Sequence, residues 1–167
     1  MTFKLVKWNK EHINSVAQHA NNQKIADNLR DVFPYPYTYA DAEGYVNACI
    51  KNDDDHQITR AIEVAGKAVG SIGVFVKEDV YRKSAELGYW LAEDYWGQGI
   101  MSEAVKQICT EVFECFDIVR IFAEPYGFNI GSRRGLEKAG FTLEGIMKSS
   151  VCKHEKIYDS CMYALLK

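Results

Sequence analysis

The residues best placed for chemistry in this sequence begin with a glycine turn, Trp96-Gly97-Gln98-Gly99-Ile100-Met101-Ser102, which runs straight into an amphipathic segment. Glycine costs backbone entropy, so a pair at a helix start asks for a reason. Close approach of a ligand to bare backbone is one such reason, and the amides and dipole of a helix N-terminus favour an anion there. A Rossmann fingerprint would need a third glycine where Ser102 stands, and a phosphate loop would follow Gly99 with Lys and Ser or Thr, not Ile100 and Met101. A plain tight turn accounts for one glycine better than for two. A second motif, Asn129-x-x-Ser132, uses residue types that also suit a helix cap. Of the histidines His12, His19, His56 and His154, none shows a metal-ligand spacing except His12 and His19, seven apart, and that pair is expected on a helix surface rather than as ligands. No metal is expected.

The elements around these residues follow from periodicity and caps. Residues 3 to 8 alternate as an opening strand, and Ile13, Val16, Ala17 and Ala20 share one helical face. Thr38 with Asp41 forms a capping box ahead of Ala42, Tyr45, Val46, Cys49 and Ile50, which predicts a helix to about Lys51. A solvated turn at residues 52 to 55 precedes two strands flanking Gly66-Lys67, an antiparallel hairpin. SAELGYWL is a further strand. The helix after the glycine turn runs from about 99 to 116 with Met101, Val105, Ile108, Val112 and Phe116 inward. VRIFAEP is a buried strand, Asn129 caps a short helix that stops at Gly140, and FTLEGIMKSSV with IYDSCMYALL make a last pair of strands. The expected fold is α+β, a mixed, mostly antiparallel central sheet flanked by helices, with one central β-α-β crossover carrying the glycine turn.

Composition narrows the function classes. With 47% hydrophobic and 26% charged residues the chain reads as one globular domain over 1–167. A net charge of -3 argues against a nucleic-acid partner held by phosphate contacts. No apolar run is long enough to span a membrane, and the start MTFKLVKWNKEH carries no secretion signal. Five cysteines (Cys49, Cys109, Cys115, Cys152 and Cys161) form no CxxC and are expected reduced, in the cytoplasm.

The pattern resembles the GNAT acetyltransferase superfamily, whose pyrophosphate loop reads Arg/Gln-x-x-Gly-x-Gly/Ala; the matching residues here are Trp96 to Met101. Trp96 replaces the usual polar first residue and Met101 the small last one, but the loop binds through backbone N–H groups. GYWLAEDYWGQGIMSEAV, NIGSRRGLEKAGFTLEG, IYDSCMYALL and FPYPYT are similar to the branch of ribosomal-protein N-terminal acetyltransferases of RimJ/RimL type. The resemblance is specific over residues 84 to 166 and looser before that.

What the resemblance implies is an acetyl-CoA-dependent N-acetyltransferase, with direct transfer to a primary amine of a small molecule or a protein N-terminus. It assigns cofactor contacts to Trp90 and Leu91, to the loop Trp96, Gly97, Gln98, Gly99, Ile100, Met101 and Ser102, and to Asn129. Glu86 falls where several members carry a general base, with a hydrogen bond across the sheet as the alternative. Ser132 would assist the departing sulfur, with capping as the alternative. Arg133 and Arg134 are candidate phosphate contacts or a solvated helix face. Phe33, Tyr35 and Tyr37 would wall the acceptor, and core packing explains part of that run. Two members' features are missing: Leu136 stands where many place a tyrosine acid, and Val151 about where the ribosomal branch has a glutamate. A non-catalytic CoA-binding regulatory module is therefore the alternative, and a dinucleotide-binding oxidoreductase a more distant one. A monomer or homodimer is expected.

Overall fold

The computed structural model describes residues 1–52 and 55–167; Asp53 and Asp54, in the expected solvated turn, lie outside the described residues. In chain order the elements are β1 (Lys4–Val6), α1 (Ile13–Ala20), α2 (Gln23–Asp27), α3 (Tyr39–Lys51), β2 (Gln57–Val64) and β3 (Lys67–Val76). They continue with β4 (Ser84–Leu91), α4 (Ile100–Cys115), β5 (Arg120–Ala123), α5 (Ile130–Lys138), β6 (Thr142–Lys153) and β7 (Lys156–Leu166). The seven strands make one sheet in the order β1-β2-β3-β4-β5-β7-β6. β4 and β5 pair in parallel across the α4 crossover, and β1–β2, β5–β7 and β6–β7 pair antiparallel. β3 and β4 also run oppositely, because the Lys77 N–H reaches the Ser84 carbonyl at 2.9 Å while the Ala92 N–H reaches that of Val69 at 2.8 Å. The α+β, mostly antiparallel fold with one central crossover is thus the one expected.

Two compact units divide the chain, Met1–Gly73 with Tyr89–Ile100, and Val74–Gly88 with Met101–Lys167. The core of the first unit gathers Trp8, Ile13, Val16, Ala20, Val46 and Trp90. The α3 capping box forms as expected, with the Asp41 N–H donating to Thr38 Oγ1 at 3.2 Å and the Thr38 N–H to Asp41 Oδ2 at 2.8 Å. That helix buries Ala42, Val46 and Cys49, whereas Ile50 is turned outward and 40% exposed. The β2–β3 turn is Ala65-Gly66, one residue earlier than expected, with left-handed φ of 50° and 78°, the signature of a two-residue hairpin.

His12 departs from expectation. It lies in a 3-10 turn before α1 and is 3% exposed, with Nε2 3.2 Å from Glu63 Oε2 and Nδ1 accepting from the Asn9 N–H at 3.3 Å. A buried imidazole needs partners, and Glu63 comes from 51 residues away. His19 is also half-buried, with Nδ1 on the carbonyls of Ser15 and Ala68.

In the second unit α4 buries Ala104, Val105, Ile108, Cys109 and Val112, while Met101 and Phe116 are only half-buried. α5 ends as expected at Gly140, whose φ of 97° lets its N–H reach the Glu137 carbonyl and that of Phe141 reach Leu136, closing the helix. β6 and β7 form a long hairpin.

Candidate functional site

The glycine turn is the most distinctive feature of the first unit. Gly97 and Gly99 have φ of 72° and 78°, a region that L side chains rarely adopt, so glycine is demanded by conformation. A Cβ at either position would meet nothing within 4 Å. The glycines therefore do not make room for the protein itself; they shape a bare, exposed backbone at the start of the 16-residue α4. Such a helix start offers amides and a positive dipole end to an anion, so the turn fits a pyrophosphate.

Neighbouring residues brace this turn. Trp96, the unusual first residue of the loop, donates its indole N–H to the Leu91 carbonyl at 2.7 Å and so fastens the loop to the end of β4. Gln98 donates to the Asp94 carbonyl at 2.9 Å. Glu93, at the entry to the loop, accepts from Asn22 at 2.9 Å and from Lys24 in α2. The Lys24 bond, then that of Asn22, holds the Glu93 carboxyl below the usual carboxylate range. Neither the Trp96 bond nor the Glu93 anchors were foreseen, because each joins residues whose pairing only the fold decides.

β4 leads to this loop. Its pairing with β5 covers Ser84 to Glu86, and the strand continues to Leu91. Trp90 and Leu91, expected to meet the pantetheine arm through their backbone, are each 7% exposed, so their side chains are core. Since Ser84 and Ala92 bond to β3, alternation along an antiparallel ladder turns the Leu91 amide away from β3. The Leu91 carbonyl is taken by Trp96, which leaves its amide as the group of interest. Gly70 on β3 is a further residue that the sequence did not single out: a Cβ there would stand 2.6 Å from the Trp90 carbonyl oxygen. Only glycine lets β3 approach this end of β4 so closely.

The aromatic run divides. Tyr37 is 6% exposed and packs on Phe33 with ring centroids 5.0 Å apart, and Phe33 lies 6.2 Å from Trp90. Burial pushes the Tyr37 hydroxyl up to about 12, so it stays protonated. Tyr35, joined to Pro36 by a cis peptide, is 52% exposed. Tyr37 is thus a core residue and Tyr35 a surface one, with Phe33 between.

In the second unit Glu86 has a side chain 18% exposed and accepts from Lys77 Nζ at 3.0 Å through Oε2. At the start of α5 the Asn129 side chain accepts the Ser132 N–H at 3.2 Å, so Asn129 is the cap and Ser132 supplies a backbone donor to it. Ser132 is half-buried, and Leu136 is fully buried, a core position. Arg133 turns inward to the Tyr163 hydroxyl at 3.2 Å and the Gly127 carbonyl at 3.1 Å, whereas Arg134 is exposed. Val151 faces Tyr158 across the β6–β7 pair.

Cys49, Cys109 and Cys161 are buried and Cys115 and Cys152 exposed, all as free thiols. Burial raises the Cys109 thiol to about 12, which makes it a poor nucleophile. Among the described residues no group of three or more His, Cys, Asp or Glu gathers to hold a metal ion, and no helix is long and apolar enough to cross a membrane.

Known proteins resemble this chain in sequence and fold. A family model described as Acetyltransferase (GNAT) domain matches residues 3–142. The chain is 28% identical over 165 residues to the putative ribosomal N-acetyltransferase YdaF of Bacillus subtilis, covering 98% of this chain and 82% of that one. It is 29% identical over 99 residues to the uncharacterised N-acetyltransferase YoaA of the same organism, covering 59% of this chain; that match spans about half the relative's length, 55%. Among solved structures, RimL, a ribosomal L7/L12 alpha-N-protein acetyltransferase in complex with coenzyme A, superposes with a TM-score of 0.86 at 24% identity, over 99% of this chain and 94% of that one. At that identity the likeness is one of fold. The family model, covering most of the chain and including the glycine turn, shows that this chain belongs to the GNAT acetyltransferase family, with relatives in its RimJ/RimL-type branch.

Proposed function

We propose that this chain is an acetyl-CoA-dependent N-acetyltransferase that acetylates a primary α-amine, of a protein N-terminus or a small molecule, by direct transfer. The observation that carries this reading is the pair of left-handed glycines, with open space about them, at the head of α4. Acetyl-CoA supplies a thioester already activated for attack by an amine. In the proposal Gly97, Gln98, Gly99, Ile100, Met101 and Ser102 hold its pyrophosphate, with Trp96 as the brace of the loop rather than a direct contact. The Leu91 amide is the candidate donor to the carbonyl oxygen, a role worth several kcal/mol when preorganised. Asn129 flanks the pantetheine arm, and Ser132 offers a hydrogen bond to the leaving sulfur. Glu86 accepts the amine proton, directly or through a water. Phe33 and Tyr35 border the acceptor, with Tyr37 supporting them from the core.

Magnitudes favour α-amines. With a pKa near 7.7–8.0, an α-amine is roughly a tenth neutral at pH 7, whereas a lysine near 10.4 is neutral in about one molecule in 2,500. In the proposal Glu86 alone must meet the lysine deficit, since a leaving-group acid of the kind missing at the buried Leu136 would not change it, and an α-amine asks far less of that base. Protein N-termini gain support from the ribosomal relatives, YdaF and RimL. The absence of a glutamate at Val151 keeps small-molecule amines beside them. Acetyl-CoA use and free thiols fit a cytoplasmic protein.

The test is an acceptor screen of peptides with free N-termini, amino acids, polyamines and aminoglycosides, followed by release of free thiol from acetyl-CoA. Turnover with α-amines ahead of lysine side chains is expected. Acetyl-CoA binding without turnover on any amine would instead favour the regulatory module.

A further inference from the structure

Tyr163, on β7, is a buried side chain that the proposed chemistry does not use, and its partners bear on how the start of α5 is held. It stands opposite Ala123 of β5 and Leu143 of β6 and is fully enclosed, so the sheet fixes the place of its hydroxyl. That hydroxyl donates to Glu137 Oε1 at 2.9 Å and accepts from Arg133 Nε at 3.2 Å, which engages it as donor and acceptor at once. Arg133 and Glu137 lie four residues apart, on one face of α5. Arg133 has a second hold, Nη1 donating to the Gly127 carbonyl at 3.1 Å, and the Gly127 N–H in turn donates to the Asp159 carbonyl of β7 at 2.8 Å. The segment from Gly127 to Arg133 is therefore tied to β7 at both ends, and Asn129 and Ser132 lie between the ties. The Asn129 cap fixes where α5 starts. Two side chains converging on one enclosed oxygen also restrict how far the helix turns about its axis, more finely than the burial of Leu136, an apolar contact without direction. Without the hydroxyl, Arg133 and Glu137 are spaced to pair with each other and let go of β7.

We propose that Tyr163 is a positioning residue for the transfer step, whose hydroxyl acts through Arg133 and Glu137 to set the first turn of α5, and with it Ser132, against the sheet. The inference rests on the reading of Ser132 as a group beside the leaving sulfur. Small displacements of a group that must meet a reacting atom are costly in rate while leaving binding elsewhere intact, which is what separates this role from plain support of the fold.

The experiment is a double-mutant cycle on kcat, with wild type, Tyr163→Phe, Ser132→Ala and the double variant, using a short peptide with a free α-amine at saturating acetyl-CoA and a temperature well below every melting point. Tyr163→Phe keeps the ring in the core and removes only the hydroxyl. It should lower kcat at least about fivefold while acetyl-CoA affinity, measured by titration, stays within about twofold of wild type. In the Ser132→Ala background the same change should lower kcat by less than about twofold, because the group it misplaces is already gone. Circular dichroism checks that each variant folds, and Arg133→Gln, which cuts the same tie from the helix side, takes the place of Tyr163→Phe if that variant does not. Unchanged kcat in Tyr163→Phe, or an equal fold-loss in both backgrounds, overturns the proposal while leaving Ser132 in its role. Wild-type kcat in Ser132→Ala would remove Ser132 from the transfer step, and no thiol release with the peptide by wild type would count against the α-amine reading; either result overturns the proposal as well.

Discussion

The start of α5 permits a test in which two residues three apart, Asn129 and Ser132, give opposite results. The Asn129 side chain accepts the Ser132 N–H, so the cap needs the amide oxygen of Asn129 and only the backbone of Ser132. Asn129→Ala removes that acceptor and should cost about 1 kcal/mol, the usual worth of an N-cap. For a chain of 167 residues this corresponds to a melting temperature lower by about 2–4 °C. Ser132→Ala keeps the cap, and alanine is the better helix former, so its melting temperature should stay above that of Asn129→Ala. If the hydroxyl assists the departing thiolate, kcat should nevertheless fall at least about tenfold, equivalent to about 1.4 kcal/mol of transition-state stabilisation, with acetyl-CoA affinity unchanged. The thiol's ordinary pKa of about 8.5 explains why the assistance need not be larger. Thermal melts, steady-state kinetics and acetyl-CoA titration on the two variants are sufficient. A Ser132→Ala variant that melts as low as Asn129→Ala would refute the assignment of the cap, and one with unchanged kcat would leave Ser132 without a chemical part.

Other expectations concern the supports of the site. Gly70→Ala places a Cβ 2.6 Å from the Trp90 carbonyl, a backbone atom that cannot step aside cheaply; a loss of about 1–3 kcal/mol and weaker acetyl-CoA binding are expected, and a variant matching wild type in both would mean that β3 and β4 separate freely there. Glu93 titrates below its ordinary value of 4.5 because of Lys24 and Asn22, so its stabilising contribution is fully present above about pH 4.5 and is lost as pH falls through its folded-state pKa. Glu93→Gln should therefore lower the melting temperature at pH 7 and converge with wild type in acid; a difference that grows on acidification would contradict the argument.

The features legible in the sequence are those written in neighbouring residues. Thr38 and Asp41 reveal a helix start because both halves of a capping box lie within one turn. Gly140 marks a helix end for the same local reason, and the β4–α4–β5 crossover follows from two apolar strands about a long amphipathic segment. What could not be read depends on partners far along the chain. His12 looked like a surface residue because nothing near it hints at Glu63, 51 positions on. Gly70 lies inside a strand, and nothing near it in sequence shows that the Trp90 carbonyl comes against it. Trp96 looked like a defect in the loop pattern, yet its indole reaches back five residues to Leu91 and holds the loop to its strand. Tyr37 was expected beside the acceptor and is core, because an aromatic run does not announce which of its rings the fold will bury.

The most direct test of the central claim is the dissociation constant of acetyl-CoA for wild type and Gly99→Val, measured by isothermal titration. Gly99 has φ of 78° with nothing within 4 Å of a Cβ, so the substitution alters the turn and the surface it shows rather than the packing behind it. A β-branched residue disfavours the left-handed conformation by at least about 1–2 kcal/mol and would stand over the backbone that the pyrophosphate approaches. The account predicts saturable binding to wild type and an affinity at least about tenfold weaker in Gly99→Val, with the folded structure retained by circular dichroism. Equal affinity in the two proteins would contradict it.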